Sequence, residues 1–334
     1  MAHPLDQAVV VVTGASSGIG RASALGFARR GAAVVLCARG AEALEDAAAE
    51  CRAAGAAGVL ARPLDVRDEA AVEALAAATV ERFGRLDVWL NCAATMAYGP
   101  FTEIPPEVFR GVIDTNLMGQ VHGARAALRR FHDQGEGVLI NVSSVWGRIS
   151  SPLVSPYVIS KNAVRALSEC ISGELAAENR IEVVTIVPQA VDTPIFEHAA
   201  NYTGFHVRPI PPVLSAAEVA AGIVACAEDP RREVTCGRAG RLLKALYSIA
   251  PPLYRRFTHG AFVRGTTSRL PREPTAGNVL APAGPHRVEG GWRGPRRRVL
   301  HRAFLAAGVA AVAGLLGSER AGVSSRRHAG TKDL

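Results

Sequence analysis

The regular alternation of short apolar runs with longer alanine-rich segments constrains this chain more than any other feature. The runs are nearly continuous and rich in β-branched residues, which is typical of parallel strands covered by helices on both faces. The strand-like runs are AVVVVT (8–13), AVVLCA (33–38), GVLARP (58–63), DVWLNC (87–92), GVLINVSS (137–144) and IEVVTIVP (181–188), with a short last strand near 232–236. The helix-like segments lie at about 18–30, 41–54, 68–83, 105–132, 155–178 and 215–228. This strict alternation predicts an α/β fold with a doubly wound parallel sheet.

The pattern changes after Gly237. Residues 240–257 are amphipathic but interrupted by two adjacent prolines, and residues 265–298 have the irregular proline and glycine content of a loop. Residues 303–317 form an uncharged apolar run. The sequence therefore predicts three parts, which are an α/β domain at 1–237, an amphipathic and loop-rich extension at 238–298, and an arginine-flanked apolar tail at 299–334.

Charge is divided unevenly along the chain. Residues 1–236 hold 20 basic and 26 acidic side chains, whereas residues 237–334 hold 18 and 4. The basic character belongs to the tail, and its arginines lack interleaved aromatic residues apart from Trp292, so we expect no nucleic-acid partner. The six cysteines form no C-x-x-C pair and the first residues lack a basic, apolar leader, which favours a cytoplasmic location. No His or Cys pair has ligand spacing, so we expect no metal site.

A glycine-rich turn directly follows the first predicted strand. It reads Thr13-Gly14-Ala15-Ser16-Ser17-Gly18-Ile19-Gly20 and leads into a helical pattern. Such a turn lets phosphate groups approach bare backbone, and the unpaired N–H groups at the helix start point at them. An ordinary tight turn is the alternative. The position after the first strand of a doubly wound sheet favours a site for the pyrophosphate of a dinucleotide.

Tyr157 and Lys161 lie four positions apart on a predicted helix, which places both side chains on one face. A free tyrosine has a pKa of about 10 and is a poor base at neutral pH. Lowering that pKa by roughly three units would require about 4 kcal/mol of phenolate stabilisation, which an adjacent ammonium and the positive charge of an oxidised nicotinamide could supply. An exposed helical pair is the alternative. Next to a dinucleotide site, the pair indicates proton transfer.

These motifs resemble those of the short-chain dehydrogenase/reductase family. The family signatures T-G-x-x-x-G-x-G and Y-x-x-x-K match residues 13–20 and 157–161, and the resemblance extends over about residues 7–236. It implies a Rossmann fold and a reversible hydride transfer between a nicotinamide cofactor and a carbonyl or secondary alcohol.

The resemblance also implies a catalytic set of Asn116, Ser144, Tyr157 and Lys161. In this scheme Tyr157 transfers the proton, Ser144 orients and polarises the substrate oxygen, and Lys161 holds the ribose while biasing the tyrosine. Asn116 would hold a water that links the lysine to solvent. The alternatives are Ser143 in place of Ser144, and a helix kink as the reason for Asn116.

The end of the second predicted strand indicates which cofactor is used. The sequence C-A-R-G at 37–40 has no carboxylate for a ribose 2′-hydroxyl, and its Arg39 can pair with a 2′-phosphate. We therefore expect NADP(H) in preference to NAD(H), with a solvated loop arginine as the alternative. Asp65 resembles the family's adenine contact and could also cap a helix. The cofactor-binding residues implied are Thr13, Gly14, Ser16, Ser17, Gly18, Ile19, Gly20, Arg39, Asp65, Val66, Asn91, Ala93, Tyr157, Lys161, Pro188, Val191 and Thr193.

Two positions depart from the family pattern. After the fourth predicted strand the chain reads N-C-A-A at 91–94 where the family usually ends in glycine, so Ala94 needs a backbone conformation accessible to a residue with a Cβ. After the sixth strand the usual P-G becomes Pro188-Gln189. Gln189 is expected to border the substrate cleft and to alter specificity without removing the chemistry.

Substrate and partners are less constrained than the reaction. The segments 94–101, 145–156 and 189–214 should flank the cleft and are mostly apolar, which favours a lipophilic alcohol or ketone, with lid packing as an equal alternative. The resemblance implies a homodimer or tetramer through the helices at 105–132 and 155–178.

The apolar run at 303–317 would extend about 22 Å as a helix, short of a hydrocarbon core of about 30 Å. Arginines on both sides of the run could contact anionic lipid headgroups. A membrane-associated helix, peripheral or tail-anchored, a helix docked on the enzyme and a disordered tail all remain open.

The leading function is an NADP(H)-dependent oxidoreductase of the short-chain type. The rival is a non-catalytic nucleotide sensor or scaffold that binds a membrane surface through its basic tail. A sensor need not keep Tyr157, so the complete predicted catalytic set favours the enzyme.

Overall fold

Seven parallel strands form the centre of the computed structural model, which describes residues 4–178, 180–258, 263–284 and 286–293. In chain order the strands are β1 Val9–Thr13, β2 Ala33–Ala38, β3 Gly58–Pro63, β4 Val88–Asn91, β5 Ala97–Tyr98, β6 Gly137–Val142, β7 Ile181–Pro188, β8 Val191–Asp192, β9 Ala200–Asn201, β10 Phe205–Val207, β11 Leu214–Ser215, β12 Glu233–Cys236 and β13 Thr267–Pro271. The central sheet has the order β12-β7-β6-β4-β1-β2-β3. The strand order reverses between β1 and β4, which is where a doubly wound sheet binds its ligand. The predicted α/β Rossmann fold is confirmed.

Helices cover both faces of this sheet. They are α1 Gly18–Ala28, α2 Ala41–Ala53, α3 Glu69–Phe83, α4 Pro106–Ile113, α5 Gly119–Gln134, α6 Ser155–Glu174, α7 Ile195–His198, α8 Ala216–Glu228, α9 Arg238–Ile249, α10 Pro251–Phe257 and α11 Val263–Thr266. Residues of α1, α2 and α8 pack on one face, and residues of α3, α5 and α6 pack on the other. Val10 and Val12 enter the first core while Val9 and Val11 enter the second, because successive strand residues point to opposite faces. Burial on both sides explains why the strands are continuously apolar.

The extension after β12 differs partly from the sequence-based expectation. The predicted interruption at the two prolines is confirmed, since α9 ends at Ile249 and α10 begins at Pro251. The expectation that 265–298 is entirely loop is wrong, because β13 pairs antiparallel with β10. The sequence of β13, TSRLP, has no alternating apolar pattern, and the strand forms on a partner some 60 residues earlier in the chain.

The chain divides into two units, Met1–Trp292 and Arg293–Leu334. The predicted tail at 299–334 lies outside the described residues, and the predicted boundaries after 237 and 298 stay predictions. Within the part of the chain that is described, no helix combines the length and apolar character needed to span a membrane.

Candidate active site

The glycine-rich turn between β1 and α1 has two positions, Gly14 and Gly20, at which a side chain would clash with neighbouring backbone. Gly14 has φ +69°, and a Cβ there would lie 2.8 Å from the Ala93 Cα. A Cβ on Gly20 would lie 2.2 Å from the carbonyl oxygen of Gly14. Ser17 is the N-cap of α1, yet its side chain makes no capping hydrogen bond. Bare backbone, a helix N-terminus and an uncommitted hydroxyl fit the pyrophosphate of a dinucleotide.

Polar side chains connect this turn to the strands beside it. The Thr13 hydroxyl accepts hydrogen bonds from the backbone N–H groups of Cys92 (2.9 Å) and Ala93 (3.2 Å), which fixes the loop after β4 against β1. Asn91 is fully buried and donates to the side-chain oxygen of Asn141 at 2.9 Å. These contacts hold the ends of β1, β4 and β6 in register at the edge of the sheet that carries the site.

At the end of β2, Arg39 is partly buried and hydrogen-bonded. Its guanidinium donates to the carbonyl oxygens of Asn278 at 2.5 Å and Val279 at 3.4 Å, in the C-terminal extension. The chain itself therefore binds part of this guanidinium, and the 2′-phosphate contact and its alternative both stay predictions. No residue pattern in the sequence indicates the long-range contact with Asn278 and Val279.

Asp65 lies near Arg39, at the end of β3. Its carboxylate accepts from the backbone N–H of Arg67 at 3.0 Å and from the Arg67 guanidinium. Burial acts to raise the pKa of Asp65, but the hydrogen bonds from Arg67 and the charges of Arg67 and Arg39 hold it below its ordinary value. The N-cap of α3 is Asp68, which accepts from the Ala71 N–H at 3.1 Å, so Asp65 does not cap that helix.

Ser144, Tyr157 and Lys161 come together at the end of β6. The Lys161 Nζ lies 5.6 Å from the centre of the Tyr157 ring, so both side chains share one face of α6 as their spacing predicts. Lys161 donates to the Val142 carbonyl oxygen at 2.8 Å, and Ser144 forms a hydrogen bond with the Tyr157 hydroxyl. All three side chains are buried.

Burial dominates the protonation of this cluster. It raises the pKa of Tyr157 above the ordinary value, and the hydrogen bond from Ser144 acts in the opposite direction. Burial also lowers the pKa of Lys161 to about 8, opposed by the charge of Cys92. The protein alone therefore favours the neutral phenol, whereas the lowered pKa expected from the sequence includes the charge of a bound nicotinamide.

The structure distinguishes the two neighbouring serines. Ser143 donates its hydroxyl to the Lys161 carbonyl oxygen at 2.8 Å, so it braces α6 against the end of β6. A Cβ on Gly147 would lie 2.4 Å from the Ser143 Oγ, which shows how closely the following turn packs there. Ser144 instead contacts Tyr157, and its Oγ accepts from the Trp146 N–H at 3.2 Å.

Asn116 lies in a π-helical turn, Asp114–Met118, between α4 and α5. Its side chain accepts from the Thr95 N–H at 2.7 Å and donates to the Thr95 carbonyl at 2.9 Å and to the Ser160 Oγ at 3.0 Å. Ser160 in turn donates to the Tyr157 carbonyl oxygen. The helix kink that is the alternative reason for Asn116 and the predicted water-holding role both stay predictions. Thr95 and Ser160 are not predicted from the sequence, since no local pattern links them to Asn116.

The two departures from the family pattern are accommodated. Among the described residues Leu153 is the one non-glycine residue with positive φ, so Ala94 needs no left-handed backbone. Gln189 is buried and donates to the Pro212 carbonyl oxygen at 2.8 Å. A Cβ on Gly237 would lie 2.1 Å from the Gln189 Oε1, so this side chain packs tightly where the sheet meets the extension.

The remaining predicted cofactor contacts lie around the same edge of the sheet. Pro188 ends β7 opposite Cys236, and Val191 begins β8. The Thr193 side chain lies about 3.2 Å from where a Cβ on Gly18 would be, so the loop after β8 faces the glycine-rich turn. The described residues include no group of three His, Cys, Asp or Glu side chains that could hold a metal ion.

A buried apolar cluster borders Tyr157. Trp146 packs edge-on against the Tyr157 ring at 5.8 Å between centroids. Met96, Tyr98 and Phe196 belong to the same cluster, and the hydroxyl of Tyr98 is buried without a hydrogen-bond partner. A substrate oxygen reaching Ser144 and Tyr157 would therefore lie beside apolar surface.

Together, the fold and this site define a nicotinamide-dependent oxidoreductase. Residues 8–202 match the sequence profile of the short chain dehydrogenase family. The chain belongs to this short-chain dehydrogenase/reductase family, as its motifs indicate.

Known proteins similar to the chain agree with this assignment. The chain is 33% identical over 285 residues to the uncharacterized oxidoreductase YxnA of Bacillus subtilis, and the matched region covers 84% of this chain and 79% of that protein. An alcohol dehydrogenase from the archaeon Thermococcus sibiricus, solved with 5-hydroxy-NADP, has a TM-score of 0.59 at 30% identity over 68% of this chain and 95% of its own. A short chain dehydrogenase from Mycobacterium paratuberculosis bound to NAD has a TM-score of 0.62 at 25% identity over 70% of this chain and 97% of its own.

Proposed function

We propose that this protein is an NADP(H)-dependent oxidoreductase that interconverts a lipophilic secondary alcohol and the corresponding carbonyl compound. The observation that carries the proposal is the buried cluster of Ser144, Tyr157 and Lys161, which lies at the ligand-binding edge of the sheet. The non-catalytic sensor or scaffold is not favoured, because such a protein has no need for this arrangement.

When bound, the cofactor supplies or accepts a hydride at its nicotinamide ring. The side chains of the protein handle the proton and the oxygen. In the reductive direction the Tyr157 O–H bond breaks, and its proton goes to the substrate oxygen as the carbonyl carbon is reduced. Ser144 donates a hydrogen bond to the same oxygen and stabilises its developing negative charge. In the oxidative direction the phenolate of Tyr157 takes the proton back.

The neutral Tyr157 phenol supports the reductive direction, because that direction needs a proton donor. Since burial keeps the Tyr157 phenol neutral, its proton is present before a carbonyl compound enters. Lys161, with a pKa lowered to about 8, changes charge close to physiological pH and would bind the cofactor ribose. Asn116 holds the Thr95 backbone and Ser160 in place beside Tyr157, and we assign it a positioning role.

The preference for NADP(H) rests on Arg39, since the end of β2 has no carboxylate to bind a 2′-hydroxyl. A charge-assisted bond to a 2′-phosphate contributes about 1.5–3 kcal/mol, equivalent to roughly a 10- to 100-fold effect. We therefore expect Arg39→Ala to lower the ratio of kcat/KM for NADPH to kcat/KM for NADH by that factor. Arg29 is the C-cap of α1. As a control, Arg29→Ala should leave kcat/KM unchanged for both cofactors.

The experiment that tests the proposal follows NADPH and NADH oxidation with ketones and aldehydes of increasing chain length. The apolar cluster around Met96, Trp146 and Phe196 leads us to expect kcat/KM to rise with chain length. A preference for NADH would contradict the proposed use of NADP(H), and a preference for small polar carbonyl compounds would contradict the proposed lipophilic substrate. Neither result would change the enzyme class.

We also propose that the arginine-flanked tail brings the enzyme to a membrane surface and that the enzyme is a homodimer or tetramer. Membrane fractionation should compare the full chain with a version ending after Arg293, which keeps the contacts of Trp292. A membrane pool that disappears on truncation supports the first proposal, and equal distribution contradicts it. The second is tested by the molar mass of the full chain in light scattering.

A further inference from the structure

The C-terminal extension lies along the groove in which the dinucleotide is expected. We call the described residues 275–284 and 286–292 the strap. At the adenosine end, the Asn278 and Val279 carbonyl oxygens accept the hydrogen bonds of Arg39. The Val279 side chain is fully buried against α4, where a Cβ on Gly111 would lie 2.8 Å from it. The guanidinium expected to bind a 2′-phosphate is therefore already bound to main-chain oxygens.

The strap also binds the glycine-rich turn. The backbone N–H of Gly18 donates to the Arg287 carbonyl oxygen at 3.0 Å. Arg21 donates to the neighbouring His286 carbonyl at 2.9 Å, and the His286 ring lies 3.6 Å from where a Cβ on Gly40 would be. The strap thus spans from the end of β2 to the start of α1, which is the path of the adenosine and pyrophosphate in a doubly wound sheet.

At its far end the strap is fixed to the last residue of β8 and to the residue that follows it. Asp192 accepts hydrogen bonds from the backbone N–H groups of Gly290 at 3.0 Å and Trp292 at 2.8 Å. The indole N–H of Trp292 donates to the Thr193 carbonyl at 3.2 Å, and the indole packs edge-on against Phe196. These contacts reach the segment that is expected to face the nicotinamide.

We propose that the strap is a displaceable occupant of the dinucleotide groove, and that the cofactor enters by exchanging its phosphate oxygens for the strap's carbonyl oxygens. This inference rests on the proposed use of a dinucleotide. A carbonyl oxygen and a phosphate oxygen are both hydrogen-bond acceptors, so the single Gly18 N–H can serve one or the other. The two Arg39 N–H groups that bind Asn278 and Val279 are likewise occupied while the strap is in place. The strap and the cofactor therefore exclude each other at these donors.

Replacement of the strap's carbonyl oxygens by phosphate oxygens is favoured at sufficient cofactor concentration. Hydrogen bonds from Arg39 to a charged phosphate are roughly twice as strong as those to a neutral carbonyl. The strap is attached to the chain, however, so it reduces the apparent affinity by the fraction of molecules in which the groove is open. Weakening the strap should tighten cofactor binding without any change to the residues that contact the cofactor.

Two glycines of the strap provide a matched pair of variants. Gly284 has φ +85°, and a Cβ there would lie 2.4 Å from the His198 ring. Gly291 has φ +76° with no atom within 4 Å of its Cβ position. Alanine strains the backbone at both positions, but only Gly284→Ala pushes the strap away from His198 at the end of α7. By NADPH fluorescence titration of the full chain, we expect Gly284→Ala to have a Kd at least about fivefold lower than Gly291→Ala.

Hydrogen exchange of the wild-type chain distinguishes displacement from closure. Displacement predicts that saturating NADPH accelerates exchange of the strap amides, including those of Gly290 and Trp292 that bind Asp192. A strap that closes over bound cofactor would exchange more slowly or unchanged, and this result would overturn the proposal. Equal Kd values for the two variants would do the same.

The outcomes also separate this inference from the proposed function. Binding of NADPH without faster strap exchange overturns the strap proposal alone. Failure of the wild-type chain and of Gly284→Ala to bind either NADPH or NADH overturns the proposed cofactor use together with the strap proposal.

Discussion

At the scale of single residues, burial sets the charges of the active site. Lys161 is 1% exposed, and transfer from water lowers its pKa from 10.5 to about 8. The same burial raises the pKa of Tyr157. The two groups that the sequence places on one helix face are therefore both shifted toward their neutral forms in the protein alone.

The shifted pKa of Lys161 makes stability depend on pH. Between about pH 8 and 10.5 the unfolded chain binds more protons than the folded one, so the free energy of unfolding rises with pH in this window. The stability that the folded chain gains when the buried lysine is neutral is fully present above about pH 10.5 and is lost as pH falls through about 8. We expect the urea-unfolding free energy of wild type minus that of Lys161→Met to increase by about 1–2 kcal/mol from pH 7.5 to 9.5.

Lys244→Met is the control for this measurement, because Lys244 is exposed on α9. Its difference from wild type should stay constant over the same pH range. Buried cysteines and tyrosines titrate in all three proteins and cancel in the comparison. A constant difference for Lys161→Met would show that the buried lysine keeps its ordinary pKa.

Tyr157→Phe removes the proton donor and leaves the ring in its packing against Trp146. General acid–base catalysis contributes about 10²–10⁴-fold, so we expect kcat to fall by at least about 100-fold. The NADPH Kd, measured by fluorescence, should stay within about threefold of wild type. Tyr247→Phe, on the partly exposed surface of α9, should retain full turnover. Retained turnover in Tyr157→Phe would refute the assigned role.

At the scale of secondary-structure elements, the sequence predicts those with strong local patterns. The observed central strands lie within two residues of the apolar runs, because burial on both faces leaves an uninterrupted signal. The π-helical turn at Asp114–Met118 is not predicted as such, since its hydrogen bonds to Thr95 and Ser160 join residues 21 and 44 positions away. Local propensity carries no information about partners at these separations.

The capping box of α8 allows a test of local sequence against stability. Ser215 accepts from the Glu218 N–H at 3.1 Å, and Glu218 accepts from the Ser215 N–H at 2.7 Å. Because α8 packs on α1 and the sheet, loss of this cap should lower the free energy of unfolding. We expect Ser215→Ala to lower it by about 1 kcal/mol in urea denaturation. Ser172→Ala, inside α6, should be neutral or slightly stabilising; equal losses in both variants would argue against the cap.

At the scale of the whole molecule, cofactor binding should be visible as stability. A ligand at 100 times its Kd stabilises the folded state by about 2.7 kcal/mol. We expect NADPH to raise the Tm of the wild-type chain but not that of Gly14→Ala, because its added Cβ meets Ala93 at 2.8 Å in the expected pyrophosphate site. Gly84→Ala has a comparable φ of +78° and open space around its Cβ, so it should be destabilised yet keep the NADPH shift. A full shift in Gly14→Ala would place the cofactor elsewhere.

The fold and the cluster around Tyr157 could be read from the sequence, whereas the surroundings of Arg39 could not. The cluster depends on helix periodicity and on strands that end at one edge of the sheet, which are local signals combined with one topology. Arg39 meets Asn278, 239 positions later, in a segment with no periodic pattern. Contacts made by such a segment depend on how the chain returns to the sheet, which composition and spacing do not specify.

The most direct test of the account is the fate of the hydride at the site beside Tyr157. NADPH carrying deuterium at the nicotinamide C4, prepared separately on each face of the ring, should be incubated with the full chain and a long-chain ketone that supports turnover. The account predicts deuterium on the alcohol carbon from one of the two labelled forms, with Tyr157→Phe slowing this transfer at least about 100-fold. Alcohol formed without deuterium from either form, or transfer unaffected by Tyr157→Phe, would contradict it.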